Sequence, residues 1–342
     1  MFYWLSQHQQ LGQRSIDTKI HNGSTLQLIA LQFHPDGTFE TSLNANHPKF
    51  EQLRIQDNNN TLFYEVYTVP GCTTELYFDK DINMTMSSKD KEVWECQRLV
   101  NHNIFDICMP KPYMERYNMC KYMSFNQFGS ALQSEKELQL KLIDYVAWRE
   151  QFTQLEQYYA KLITELEYSE AIFDYYYHVE MHMADSLLSK TEREFLANEF
   201  QKDPYIEEYE FIKQAPHNDI ACLATPNFYF LINRYQYSKI LFPEIFKSKI
   251  IVYYPFKNSL KNIQEKNNRI FNTDMAITGK QEPSLWAILV AIQNAKHYLK
   301  NVLVQKKSRQ KNYYEYLQEL TYNYPVIIPE IEKLYNSCIS DL

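Results

Sequence analysis

His178 and His182 are the residues whose type and spacing most directly suggest chemistry. They sit in the stretch EAIFDYYYHVEMHMAD. Drawn as a helix, Glu170, Asp174, His178, His182 and Asp185 recur at intervals of four, four, four and three and share one stripe. Two imidazoles one turn apart are how a helix supplies a pair of ligands to a divalent transition metal, and Asp174 or Asp185 could add an oxygen. The pattern is H-x-E-x-H, not the H-E-x-x-H of zinc proteases, and Glu180 projects away from the histidine stripe, so the usual general base is not reproduced. His217, Asp219 and Cys222 could complete a site only if the fold gathers them. Two other readings compete: an acidic docking face for a partner, and histidines bonded to tyrosines at a helix interface.

A second set of residues is basic. In the helix expected from Pro283 to Lys306, Ile288, Ile292, Ala295, Leu299 and Val302 make an inward stripe. Lys296, Lys300, Lys307 and Lys311 follow at four, seven and four on a neighbouring face. Nucleic-acid phosphate, an anionic membrane, an acidic partner protein or the chain's own acidic block would each suit that face. The charge distribution bears on the choice. Residues 135–233 carry 8 Lys/Arg against 19 Asp/Glu, a net −11, and residues 234–313 carry 15 against 4, a net +11, while the whole chain is −7. Overall acidity disfavours nonspecific binding of nucleic acid.

Other signatures are missing. There is no G-x-S-x-G nucleophile turn, no G-x-G-x-x-G, no phosphate loop and no CxxC pair. Reduced cysteines and a start, MFYWLSQHQQ, without a basic n-region and long apolar core lead to the expectation of a cytoplasmic protein.

The elements that must carry these residues divide in two. Five of the six glycines lie in the first 130 residues, where turns therefore cluster. Thr25–Phe33, Thr38–Leu43, Thr61–Val69, Cys72–Phe78 and Ile82–Met86 read as strands of a meander, with turns at Pro35-Asp36-Gly37 and Pro70-Gly71. Pro110 to Gly129 reads as an irregular connection. Helices follow from about Glu135, with Tyr145, Trp148, Phe152, Leu155, Tyr159, Leu162 and Leu166 forming one apolar seam and a break near Ser169. Ser189 with Glu192 forms a capping box, and Thr225-Pro226 marks a helix running to Leu241. Ile250–Tyr254 reads as a lone strand, and helices at Pro283–Lys306, Asn312–Tyr322 and Pro329–Ile339 close the chain.

The expectation is an α+β protein, with an N-terminal antiparallel sheet domain over 1–130 and a larger, mainly helical domain over 131–342. Abundant tyrosine, opposed charge blocks and missing catalytic signatures favour a protein–protein interaction role, such as an inhibitor, immunity-type or accessory subunit. Glu170, Asp174, His178, His182 and Asp185 are its expected acidic face, and Lys296, Lys300, Lys307 and Lys311 its basic one. The alternatives are a nucleic-acid binder using the basic face and a metal-dependent enzyme centred on His178, His182 and Asp174.

Overall fold

The computed structural model describes residues 2–3, 16–22, 25–30, 34, 38, 40–42, 47–57, 60–79, 83–184, 187–202, 213–225, 228–236, 238–239, 260–302, 307–325 and 328. The fold is α+β, with strands in the first ninety residues and helices thereafter. Among the described residues eight strands come first: β1 Phe2–Tyr3, β2 Ile16–Asn22, β3 Thr25–Ala30, β4 Glu40–Thr41, β5 Lys49–Asp57, β6 Asn60–Thr68, β7 Thr74–Phe78 and β8 Met84–Ser88. Ten α-helices follow among the described residues: α1 Lys91–Asn101, α2 Ile104–Cys108, α3 Tyr113–Met119, α4 Phe125–Arg149, α5 Gln154–Met183, α6 Lys190–Gln201, α7 Phe228–Gln236, α8 Leu260–Thr278, α9 Leu285–Val302 and α10 Lys307–Leu320. A short 3-10 turn spans Ile220–Ala224. No helix among the described residues is long and apolar enough to cross a membrane.

The strands do not form one meander. They make two four-stranded sheets, ordered β3-β2-β5-β6 and β4-β1-β7-β8. The expected turn at Pro70-Gly71 exists: Cys72 N–H donates to Val69 C=O at 3.1 Å and Gly71 takes φ +78°, which a side-chain-bearing residue would resist. It passes the chain from one sheet to the other instead of pairing β6 with β7. The longest ladder joins β5 to β6, from Lys49↔Thr68 to Asp57↔Asn60. All pairings are antiparallel except β1 with β7, which runs parallel over Phe2↔Thr74 and Tyr3↔Glu75.

Chain contacts divide the protein into two compact units. One comprises residues 1–108, 140–163 and 221–229, and the other 109–139, 164–220 and 230–342. In the first, Phe50 packs on Tyr67 and Phe105, and the Tyr67 hydroxyl donates to Glu92 at 2.9 Å. Buried Gln97 of α1 accepts from Tyr67 N–H at 3.2 Å and donates to Glu65 C=O at 3.3 Å. This satisfies backbone groups of β6, the edge strand of its sheet. Asp90 starts α1 by accepting from Val93 N–H, which holds its carboxyl below the usual range.

The apolar seam is interrupted, and not at Ser169. α4 stops at Arg149, Gln151 takes φ +53°, and α5 restarts at Gln154 and runs through Ser169 unbroken. Thr153 and Glu156 make the new start: Thr153 N–H donates to the Glu156 carboxylate at 2.6 Å and Glu156 N–H to the Thr153 hydroxyl at 3.3 Å. Glu156 is fully buried, and Arg98 meets its carboxylate at 3.3 Å. The break separates the seam: Tyr145 and Trp148 face solvent, whereas Phe152, Tyr159, Leu162 and Leu166 are buried.

The expected irregular connection at Pro110–Gly129 is helical instead, carrying α3 and the start of α4. The Ser189/Glu192 capping box forms in full at α6. α8 was not expected as a helix. Ile250–Tyr254 and Pro329–Ile339 lie outside the described residues.

Candidate functional site

α5 explains how its polar residues come to be interior. Between Thr164 and Val179 it is covered almost all round, so this part of it is a central helix of the second unit. Its residues open to solvent over the last two turns include Tyr177, Met181 and Met183. The polar stripe therefore faces inward, beside buried Ile172, Tyr176 and Val179, and Tyr177, Met181 and Met183 face out. Asp174 is 1% exposed, and His178 and His182 are 0% exposed. Burial corrects the expectation that these three form an acidic docking face. Glu170 is half-buried, and Asp185 lies outside the described residues.

Three helices assemble the cluster. Asp174 Oδ1 lies 2.7 Å from Arg234 Nε of α7, and Asp174 Oδ2 lies 3.7 Å from Arg116 Nη1 of α3. Neither contact is aligned as a hydrogen bond. Arg116 is anchored separately, its Nε donating to Lys111 C=O at 3.0 Å. Burial raises the Asp174 pKa, opposed first by Arg234 and then by Arg116. Because neither guanidinium can release its proton, neutralising Asp174 would leave two interior cations uncompensated, so the carboxylate is charged. Asp174 belongs to the acidic stretch and Arg234 to the basic one, so at this pair the two charge blocks meet within the chain.

The histidines bind to the protein itself. His182 Nε2 donates to Tyr117 C=O at 2.6 Å while its ring lies 3.7 Å from that of Tyr117. His178 sits edge-on to Tyr113 at 4.9 Å and to Tyr117 at 5.5 Å, with Nδ1 at 3.8 Å from Cys120 Sγ. Both imidazoles are thus held by α3 and the turn after it. Among the described residues no three His, Cys, Asp or Glu side chains are placed to hold a metal ion, so the ligand spacing of His178, His182 and Asp174 does not become a described coordination site. His217 lies elsewhere, packed on Trp286 at 6.4 Å. Burial raises the Cys120 thiol, which removes it as a nucleophile at neutral pH.

No protein-family model, curated protein or solved structure matches this chain. The chemistry of the cluster must therefore be taken from its own groups. Two ionisable side chains are pushed in opposite senses. Burial, then Glu167 and Asp174, raises Glu170 to about 8, against the opposing pull of Arg116 and Arg234. Burial, then Arg116, Arg234 and His182, lowers His178 to about 3. At pH 7 both are neutral.

This pair sets an expected pH profile. Folded Glu170 holds a proton between pH 4.5 and about 8 that the unfolded chain releases, so its contribution to stability falls as pH rises through that window. Folded His178 lacks a proton that the unfolded chain binds between about 3 and 6.5, so its contribution falls as pH drops through that window. The slopes oppose each other from 4.5 to 6.5, and Glu170 alone acts from 6.5 to about 8. Glu170→Gln should flatten the decline of the melting temperature on the alkaline side and leave the acid limb in place. An unchanged alkaline limb would show that Glu170 ionises normally.

Neighbouring contacts hold these helices in register. The Glu199 carboxylate of α6 accepts Phe125 N–H at 3.3 Å, placing negative charge at the start of α4. Lys239, 2% exposed, donates to Phe200 C=O at 2.6 Å and to Lys202 C=O, and it lies 4.7 Å from the centre of the Tyr176 ring. A lysine here satisfies carbonyls at the end of α6.

The four lysines of the expected basic face fall on two helices, Lys296 and Lys300 on α9 and Lys307 and Lys311 on α10. Their side chains lie outside the described residues. Among the described residues, several large exposed apolar side chains share one helix face on α4. Leu138, Leu142 and Tyr145 follow at intervals of four and three, with Trp148 three residues on. The opposite face of α4 buries Leu132, Ile143, Val146 and Ala147. Sequence reasoning assigned Tyr145 and Trp148 to the interior seam, because nothing in their spacing distinguishes a buried stripe from an exposed one.

Proposed function

We propose that this chain acts by binding another protein, as an inhibitor, immunity-type or accessory subunit, and that the outer face of α4 is the binding surface. One observation carries the reading: Leu138, Leu142, Tyr145 and Trp148 are 66%, 43%, 53% and 75% exposed on one helix face. A tryptophan held this far into water gains nothing for folding and is a large anchor for a partner groove. The rings of Tyr145 and Trp148 lie 6.0 Å apart, and the Arg149 guanidinium lies 5.9 Å from the Tyr145 ring centre. Tyrosine, tryptophan and arginine are the residues that dominate interface energetics. Asp144, paired with Lys161 at 2.8 Å, gives the face a polar rim.

The test is co-purification of the full chain from its own cells, followed by the same experiment with Trp148→Glu. A stoichiometric partner should elute with the parent. The variant should lose about thirtyfold or more in affinity, the scale of an interface anchor. Its stability should stay within about 0.5 kcal/mol of the parent, as expected for a surface substitution. A parent that elutes alone, or a variant that retains its partner fully, would overturn the proposal.

A further inference from the structure

The Arg116–Asp174–Arg234 cluster is unbalanced in a way that its structural role does not explain. Two guanidinium groups share one carboxylate. Arg234 uses only Nε toward Asp174, and its two terminal nitrogens make no hydrogen bond among the described residues. Its side chain is 30% exposed, and its guanidinium lies 4.8 Å from the centre of the Tyr177 ring. A guanidinium that meets its internal carboxylate at the Nε side, lies against an aromatic ring and is open at its fork has the arrangement that donates to a further carboxylate through two parallel N–H···O bonds.

The surroundings fit that use. Asp174 is already engaged by both guanidiniums, and burial, with Glu167 and Asp174 nearby, raises the neighbouring Glu170 carboxyl to about 8 against the pull of Arg116 and Arg234. Tyr113 touches the same cluster through His178 at 4.9 Å. The Arg116 guanidinium lies 6.0 Å from the centre of the Tyr113 ring, as that of Arg234 lies 4.8 Å from the Tyr177 ring. Exposed apolar side chains lie on the same three helices. Met114 follows Tyr113 on α3, Met181 is one turn beyond Tyr177 on α5, and Phe230 is one turn before Arg234 on α7. All three are exposed. Methionine and aromatic side chains around an arginine form an adaptable apolar rim about a charge-selective centre.

We infer that this surface is a second binding site, which takes a carboxylate side chain of a partner polypeptide on the Arg234 fork while apolar neighbours of that residue cover Met114, Met181 and Phe230. A carboxylate is favoured over a neutral amide because the cluster carries two fixed positive charges against one fixed negative one. A polypeptide is favoured over a free small anion because the flanking surface is aromatic and apolar.

The test is an NMR titration of the full chain, reading the arginine Nε resonances. The probes are the blocked tripeptide acetyl-Phe-Glu-Leu-amide, its glutamine counterpart and inorganic phosphate. The glutamate peptide should move the Arg234 resonance in a saturable way, bind about tenfold or more tightly than the glutamine peptide, and weaken as salt is raised. Arg234→Gln should abolish the response. Because that change also disturbs Asp174, Tyr177→Ala serves as a second variant at an exposed position, and it should weaken binding several-fold at an unchanged fold. Equal binding of the two peptides, phosphate binding as tightly as the glutamate peptide, or a response that survives both variants would each overturn the inference. Partner capture through α4 is read separately with Trp148→Glu, so the failure of either proposal is distinguishable from failure of the other.

Discussion

Asp174→Asn should be among the most damaging single substitutions in this chain, lowering stability by about 3 kcal/mol or more. The side chain it alters is 2% exposed and faces Arg116, whose own side chain is 9% exposed, and Arg234, whose side chain is 30% exposed. Asparagine keeps the shape and a carbonyl acceptor but removes the only fixed negative charge between two guanidiniums. Arg234 can turn part of its charge to water. Arg116 cannot, because its Nε is tied to Lys111 C=O and its Nη1 is enclosed. Most of the loss should therefore fall on Arg116, and Arg116→Met in the Asp174→Asn background should restore part of it. Replacing all three together, by Met at Arg116 and Arg234 and by Leu at Asp174, should recover most of the parent's stability, since an apolar trio carries no desolvation cost. Urea unfolding followed by circular dichroism measures each step. A loss below about 1 kcal/mol for Asp174→Asn would mean that water already reaches both guanidiniums.

The same cluster shows what the sequence could and could not convey. The α+β order was legible from the early glycines and alternating strands, and the Ser189/Glu192 start from its side chains alone. The orientation of α5 does not follow from the spacing of its polar stripe, although one signal for it is present. Ile163, Leu166, Ala171, Ile172, Tyr175 and Tyr176 cover every side of that helix, and a helix apolar all round is a buried one. Polar residues within such a run have to be interior, so Asp174, His178 and His182 belong to a core network. The Thr153/Glu156 pair is equally a start signal, masked by an apolar seam that continues in spacing across a break in the backbone. The switch between sheets after β6 had no local signal, since a Pro-Gly turn serves a hairpin and a sheet-to-sheet passage alike. β2 and β5 were overlooked because sequences such as IDTKIHN alternate weakly, and their strand state depends on long-range pairing.

α8 gives the clearest instance of polar residues hiding an element, and the second large expected effect lies on it. Its inward stripe is Ile263, Asn267, Ile270, Asp274 and Ile277, at intervals of four, three, four and three, and all five are buried. Two polar residues at core positions break the hydrophobic period, yet each is satisfied. Asn267 donates to the Tyr316 hydroxyl at 2.9 Å and accepts from Asn294 at 3.3 Å. Asp274 accepts from the Tyr235 hydroxyl at 2.6 Å, the Ser284 hydroxyl at 2.7 Å and Ser284 N–H at 2.8 Å. Ser284 in turn accepts from Ala287 N–H at 3.2 Å, so Asp274 supports the residue that opens α9 and places its carboxylate at that helix's positive end.

Asp274→Ala removes the acceptor of three hydrogen bonds at once, in a place where Tyr235 and Trp286, with rings 5.6 Å apart, leave water no route to replace it. The expected loss is about 3–5 kcal/mol, from stranded donors and a small cavity together. Asp274→Asn retains one carbonyl oxygen and should cost less, about 1–2 kcal/mol. Tyr235→Phe removes one donor without stranding another and should cost about 1 kcal/mol. The double variant Asp274→Ala/Tyr235→Phe should be less damaging than the sum of its parts, because the second change removes a hydroxyl that the first leaves unsatisfied. Strict additivity in that cycle would mean that Tyr235 finds another acceptor. Asp274 would then be important for opening α9 and not for pairing it to α7.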